Sequence, residues 1–163
     1  MSSRSPTAET PRVQLRKVVG DDLPVFYEQM HDPAARHMAA YTPRIGDAFF
    51  THWRKIMADP AAWLSSVLAD GEVAGHVASW VAQDQRLIGY WIGRPWWGRG
   101  IATEALRQFL VAHDARPLYA HVALENLGSI RVLEKNGFTL DQATMAALDT
   151  RADGFAERVY VLA

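Results

Sequence analysis

The stretch PWWGRGIATEAL, residues 95–106, sets two glycines around an arginine, behind a tryptophan pair and ahead of an apolar stripe at helical spacing. Ala102, Ala105, Leu106, Phe109 and Leu110 recur at intervals of three and four, with Thr103, Glu104, Arg107 and Gln108 opposite, so an amphipathic helix is predicted to about Asp114. The residues before it, Arg86 to Ile92, read as a strand. A strand, a glycine turn and a helix leave the first helical amides unpaired at the positive end of the helix dipole, a ready site for an anion such as pyrophosphate. Glycine at 98 and 100 removes the Cβ atoms that would hold phosphate oxygens off the backbone, and Arg99 adds a cation. The alternative is that these glycines serve turn geometry alone. Two phosphate-loop readings fit less well. Arg99-Gly100 stands where a P-loop has Lys-Ser or Lys-Thr, and Thr103 takes the place of the third glycine in a dinucleotide fingerprint.

Working outward, VQLRKV from Val13 alternates as a strand, and Asp21 or Asp22 caps a helix bearing Leu23, Phe26, Tyr27 and Met30 that Asp32-Pro33 ends. A second helix spans 47–57. Strands at 63–69, 73–82 and 86–92, with turns at Asp70-Gly71 and Asp84-Gln85, form an antiparallel meander. Beyond the central helix come a strand at 118–124, a short helix at 127–136 stopped by Gly137, and strands at 138–143 and 155–162. This order makes an α/β (α+β) domain: a mixed, mostly antiparallel sheet of about seven strands flanked by about four helices, with one parallel crossover.

The chain of 163 residues suits one domain, expected over 12–163 behind a flexible tail at 1–11 that is rich in Ser, Thr and Pro. A net charge of -1 gives no general attraction to nucleic acid or anionic membrane, and any anion site must be local. No cysteine is present, which removes disulfides, thiolate zinc sites and a cysteine nucleophile. The histidines form no HExxH or comparable spacing, so no metal is expected. No apolar run approaches the roughly 20 residues needed to span a bilayer, and the first residues lack a signal-peptide core, so a cytoplasmic location is expected.

A second segment, ENLGSIRVLEKNGF at 125–138, places Asn126 and Ser129 at the start of the short helix. Asn126 alone reads as an N-cap, and Ser129 as a first-turn residue. Taken with GYWIGRPWWGRGIATEAL at 89–106, however, the segment resembles, in order, the two signature regions of the GNAT superfamily of acyl-CoA-dependent N-acyltransferases, most closely the branch of ribosomal-protein-alanine N-acetyltransferases. LRKVVGDDLPVFYEQMHDPAARHM at 15–38 and DGEVAGHVASW at 70–80 are similar to that family's first strand and helix and its central hairpin.

The resemblance implies an N-acetyltransferase that uses acetyl-CoA, bound in a cleft between splayed fourth and fifth strands. Gly98, Arg99, Gly100, Ile101, Ala102 and Thr103 would wrap the pyrophosphate, main-chain groups at Trp91 and Ile92 would pair with the pantetheine arm, and Trp97 would border the cofactor. An amide near Ile92 would hold the thioester oxygen, Asn126 would contact pantetheine or water, and Ser129 would sit near the sulfur as its proton partner. Pro95 departs from the Gln or Arg with which the superfamily motif often begins, a change that backbone recognition tolerates. The fourth strand, QRLIGYWIGRP, lacks the glutamate many relatives use as base, which leaves Glu72, His76, Glu104, Glu125 and His121 as candidates, directly or through water. The acceptor would be a primary amine, either a protein N-terminus or a small molecule, read by segments 37–44 and 146–154, with Tyr41 and Arg44 among the reading residues or simply on the surface. A homodimer is common among such relatives. The rival reading is an acyl-CoA-binding sensor without catalysis, supported by the missing glutamate and opposed by Asn126 and Ser129.

Overall fold

The computed structural model describes residues 10–142 and 157–163. Seven strands, β1 (Val13–Lys17), β2 (Trp63–Ala69), β3 (Glu72–Ala82), β4 (Gln85–Ile92), β5 (Leu118–Ala123), β6 (Thr139–Leu140) and β7 (Glu157–Leu162), form one open sheet in the order β1-β2-β3-β4-β5-β7-β6. All neighbours are antiparallel except β4 and β5. The helices are α1 (Leu23–His31), α2 (Pro33–Ala39), α3 (Asp47–Met57), α4 (Ile101–Ala112) and α5 (Leu127–Lys135).

Side-chain alternation on the strands gives the sheet two apolar faces. On one, Ile101, Leu106 and Phe109 of α4 and Ile130 and Leu133 of α5 pack on Val67, Val77 and Ile88. On the other, Leu23, Phe26 and Met30 of α1 join Phe49 and Trp53 of α3 over Leu64, Val73 and Trp91. The amphipathic stripe of α4 meets the sheet as its spacing predicts, leaving Arg107 and Val111 exposed.

Several boundaries differ from the sequence reading. Asp32-Pro33 does end α1, but it also begins α2, a fifth helix among the described residues beyond the about four expected. The Asp32 carboxylate accepts from the Ala35 amide at 3.0 Å, and Pro33 occupies the first turn, where its missing N–H costs nothing. The β3–β4 turn sits one residue early, at Gln83 and Asp84, both with positive φ (51° and 63°). This is the handedness that two-residue hairpins require. Helix α4 stops at Ala112, and β6 covers two residues of the expected 138–143. Pro11, at the end of the expected tail, is buried, and the Arg12 amide donates to the Asp70 carboxylate at 2.8 Å. Residues 1–9 of the expected tail, the start of the expected 155–162 strand, and the loop at 146–154 lie outside the described residues.

A buried polar knot fixes the entry to α1. The Asp22 carboxylate takes two bonds from the Arg16 guanidinium (2.7 and 2.8 Å), one from the Ser66 hydroxyl (2.6 Å) and one from the Val19 amide (3.0 Å). Burial alone would raise its pKa, but these donors outweigh burial and hold it down to about 2, against 3.8 ordinarily. A carboxyl whose folded pKa is depressed stabilises the fold above its unfolded value and loses that contribution as pH falls through the folded one. We therefore expect Asp22→Ala to lower unfolding free energy by about 2 kcal/mol at neutral pH, with the difference between native and variant closing between about pH 4 and pH 2 in urea titrations.

Candidate active site

The site opens where the sheet comes apart. Strands β3 and β4 are paired from Ala82–Gln85 to Gly75–Ile92, but β4 and β5 share a single register pair, Leu87 with Tyr119. Beyond it the two strands diverge towards their C-terminal ends, and a wedge opens between β4 on one side and β5 with α5 on the other. The Gly93 amide donates to the Ala74 carbonyl at 2.8 Å, so antiparallel alternation turns the main-chain groups of Ile92 away from β3 and towards this wedge. Of those groups, the carbonyl accepts the Trp97 indole N–H at 2.8 Å. Gly75 opposite cannot carry a side chain, because a Cβ there would overlap the Trp91 carbonyl.

Past Ile92 the chain makes a single 3-10 turn, Arg94–Trp96, tied to α2 by the Arg94–Asp32 ion pair at 3.1 Å, and then enters the glycine turn. Gly98 and Gly100 both adopt positive φ (76° and 75°), and space around their Cβ positions is open. The Glu104 amide is bonded to the Gly100 carbonyl at 3.1 Å, and among the described residues the amides of 98–103 ahead of it have no acceptor in the protein. This turn, with α2 and α5, walls a groove of about 470 Å³ that reaches from Gly98 and Gly100 to Asn126 and Ser129.

Gly98, Gly100, Ile101, Ala102, Thr103, Ile92, Trp97, Asn126 and Ser129 all line the groove, whereas Arg99 does not. The Arg99 side chain leaves the wall, and its guanidinium lies 5.5 Å from the centre of the Trp96 ring. The groove's cations are instead Arg131 and Lys135 of α5. Their spacing of four on a short helix was visible in the sequence, but it could not be assigned to this face before α5 was placed beside α4.

Asn126 caps α5: its side-chain oxygen accepts from the Ser129 amide at 3.3 Å, the bland reading of the motif, while the residue still lines the groove. Ser129 has a partner that sequence reasoning missed. The Tyr90 hydroxyl lies 2.8 Å from the Ser129 hydroxyl and 3.0 Å from its carbonyl. Burial pushes the Tyr90 pKa up, the Ser129 bond only partly offsetting it, so the phenol stays protonated.

A second cavity, about 630 Å³, lies on the other side of this pair, between the sheet and the α1–α3 layer. It shares Ala39, Tyr90, Trp91, Asn126 and Ser129 with the groove, so the two spaces meet at the Ser129–Tyr90 contact. Two of the five candidate bases line it. His121 on β5 bonds through Nδ1 to Glu157 of β7 at 3.1 Å. His76 is enclosed between Phe26 and Trp53, each with its ring centre 4.8 Å away, and burial holds its pKa down to about 3. The other three lie elsewhere: Glu72 begins β3 at the hairpin, Glu125 is exposed before α5, and Glu104 is clamped by Arg107 at 2.6 Å and Gln108. Those bonds, the Arg107 one foremost, hold the Glu104 pKa down to about 2.

The comparisons agree with this geometry. The family model described as Acetyltransferase (GNAT) domain matches residues 12–139, most of the chain, and the protein belongs to that acetyltransferase family. No curated protein matches it. Among solved structures, an acetyltransferase from Agrobacterium tumefaciens superposes with a TM-score of 0.73 at 23% identity, covering 100% of this chain and 97% of that one. RimL, a ribosomal L7/L12 alpha-N-protein acetyltransferase, gives 0.74 at 19% identity over 96% and 92%. Spermidine N-acetyltransferase from Vibrio cholerae, solved with CoA and spermine, gives 0.73 at 17% over 91% and 92%. At these identities the likeness is one of fold.

Two glycines should respond differently to the same change. Gly75→Ala forces backbone apart, so a loss of about 2 to 3 kcal/mol is expected. Gly98→Ala meets open space and should lose only about 1 kcal/mol, the strain of a left-handed alanine. Urea unfolding of the two variants beside the native chain measures both.

Proposed function

We propose that this acetyltransferase moves the acetyl group of acetyl-CoA onto a primary amine, a protein N-terminus or a small molecule, by direct attack in a ternary complex. The observation that carries the reading is the meeting of two separate cavities at Tyr90, Trp91, Asn126 and Ser129. One cavity suits the donor and the other the acceptor, so both substrates are present together and no acylated side chain is required.

The groove fits acetyl-CoA on its own chemistry. Six unpaired amides at 98–103, with Arg131 and Lys135, suit a pyrophosphate, and the open space at Gly98 and Gly100 admits its oxygens. Ile92, on the wedge edge of β4, directs its amide to the pantetheine arm, while its carbonyl is held by Trp97. When bound, acetyl-CoA supplies the activated carbonyl and the departing sulfur. Ser129, held by the Tyr90 phenol, donates a hydrogen bond to the developing thiolate and relays to it a proton taken up from water, so the serine ends protonated as it began. On the acceptor side His121, oriented by Glu157, takes the proton from the attacking nitrogen. The nitrogen–carbon bond forms, the carbon–sulfur bond breaks, and one proton leaves at His121 while another arrives at sulfur. An α-amine, with a pKa near 8, reaches the neutral nucleophilic form more readily than a lysine near 10.4.

Calorimetric titration with acetyl-CoA and turnover across a panel of amines test the reading together. The native chain should bind acetyl-CoA in the micromolar range, and Gly100→Trp, which fills the turn, should abolish binding. A folded native chain that does not bind overturns the donor assignment. Binding without turnover on any amine favours a sensor that kept the groove and lost catalysis. Ser129→Ala and His121→Gln should each cut kcat by about a hundredfold while acetyl-CoA affinity changes by less than about threefold. Arg131→Ala with Lys135→Ala should do the reverse, raising the KM for acetyl-CoA at least about tenfold with a smaller change in kcat.

A further inference from the structure

The acceptor cavity has a chemical character of its own. Among its described lining residues, the formally charged side chains are Arg44, Asp59 and Glu157, a net charge of one negative, and Glu157 is already shared with His121. A polyamine or aminoglycoside, with several ammonium groups, finds no matching set of carboxylates there. The remaining walls are mostly apolar, aliphatic side chains interspersed with large aromatic ones. Phe49, Trp53 and Trp91 form the interior, and Tyr41 and Trp80 stand at the rim, 37% and 40% exposed. Trp80 lies across Gly89, where a Cβ would come within 3.3 Å of its ring, so the bare glycine makes room for an indole shelf on the cavity wall. Exposed aromatic faces of this size, next to a cavity, are ligand-contacting surfaces in chemical character.

His76 adds an independent observation. It is 6% exposed, it lines this cavity, and among the described residues it has no hydrogen-bond partner; its Nδ1 is enclosed. A buried imidazole without partners costs free energy, and Nε2, which is not enclosed, is the ring nitrogen that a ligand in the cavity can meet.

Resting on the acetyltransferase reading above, we propose that the acceptor is a monoamine whose single ammonium sits on an aromatic body, with a polar substituent that His76 meets. Such a body stacks on Trp80 and Trp91, and its one positive charge matches the one surplus negative charge of the lining. The same chemistry is presented by a free arylalkylamine and by an uncharged peptide whose first residue is aromatic.

Steady-state turnover by the full chain separates these cases, using phenethylamine, tyramine, a tripeptide amide with an N-terminal phenylalanine, propylamine and spermidine, with acetyl-CoA affinity measured on the same preparation. Phenethylamine, tyramine or the peptide should exceed spermidine in kcat/KM by at least about tenfold. The preferred aromatic arm identifies the source. Spermidine equal to or better than the aromatic amines overturns the proposal but leaves the acetyltransferase reading intact. Failure of every amine despite acetyl-CoA binding overturns both. Trp80→Ala, a rim substitution outside the core, should lower kcat/KM for phenethylamine about tenfold and for propylamine by less than about twofold. Equal losses for both amines overturn the aromatic shelf. His76→Phe, which keeps a ring in the same space, should raise KM for tyramine but not for phenethylamine; parallel changes overturn the polar contact.

Discussion

The structure depends on the failure of two parallel strands to stay together. Elsewhere the sheet is paired along each long ladder, yet β4 and β5 meet at Leu87 and Tyr119 alone. An open strand edge inside a protein is costly unless its main-chain groups are solvated or find partners. Here the divergence is held from both sides. Gly75 lets β3 press on β4 as far as Ile92, Trp91 donates its indole N–H to the Gln29 carbonyl of α1 at 3.1 Å, and Gln29 in turn donates to the Val73 carbonyl at 3.2 Å. Across the gap, six consecutive pairs fasten β5 to β7. Two rigid half-sheets are thus fixed at an angle, and the wedge between them is a stable feature of the fold.

Whatever stands at the apex of the wedge is reachable from both sides. Tyr90 projects there from β4 and Ser129 from the first turn of α5, and their 2.8 Å contact bridges the gap that the strands leave. Neither residue could reach the other if β4 and β5 ran on as a ladder, because a full parallel pairing would fill the space with main-chain bonds. The groove and the second cavity are therefore two sides of one opening, with Tyr90 and Ser129 in their common wall.

This arrangement explains which parts were legible in the sequence. The glycine turn and the α4 stripe are local patterns: Gly98 and Gly100 read as a turn open to a close-lying anion, and Ala105, Leu106 and Phe109 read as one apolar face. Asn126 and Ser129 read as a pair because they stand three positions apart. What stayed hidden depends on distant partners. The contact of Tyr90 with Ser129 joins residues 39 apart, and that of His121 with Glu157 joins residues 36 apart, so neither could be read from local spacing. Helix α2 was hidden for a different reason, since Asp32-Pro33 carries both a stop signal and a start signal and the sequence alone does not rank them.

The two cavities also differ in how they are made, and this bears on what can vary. The groove is built chiefly from backbone: amides at a helix start, a strand edge, and glycines whose conformation matters more than any side chain. Recognition of that kind survives wide substitution, which is consistent with a shared fold at 17% to 23% identity among the solved structures. The acceptor cavity is built from side chains drawn from α1, α3 and several strands, each held by its own packing. Replacing Trp80 or Arg44 there would alter the lining without touching the β3–β4 ladder or the glycine turn. On the proposed reading, donor binding follows from the fold, whereas acceptor choice follows from this particular set of walls.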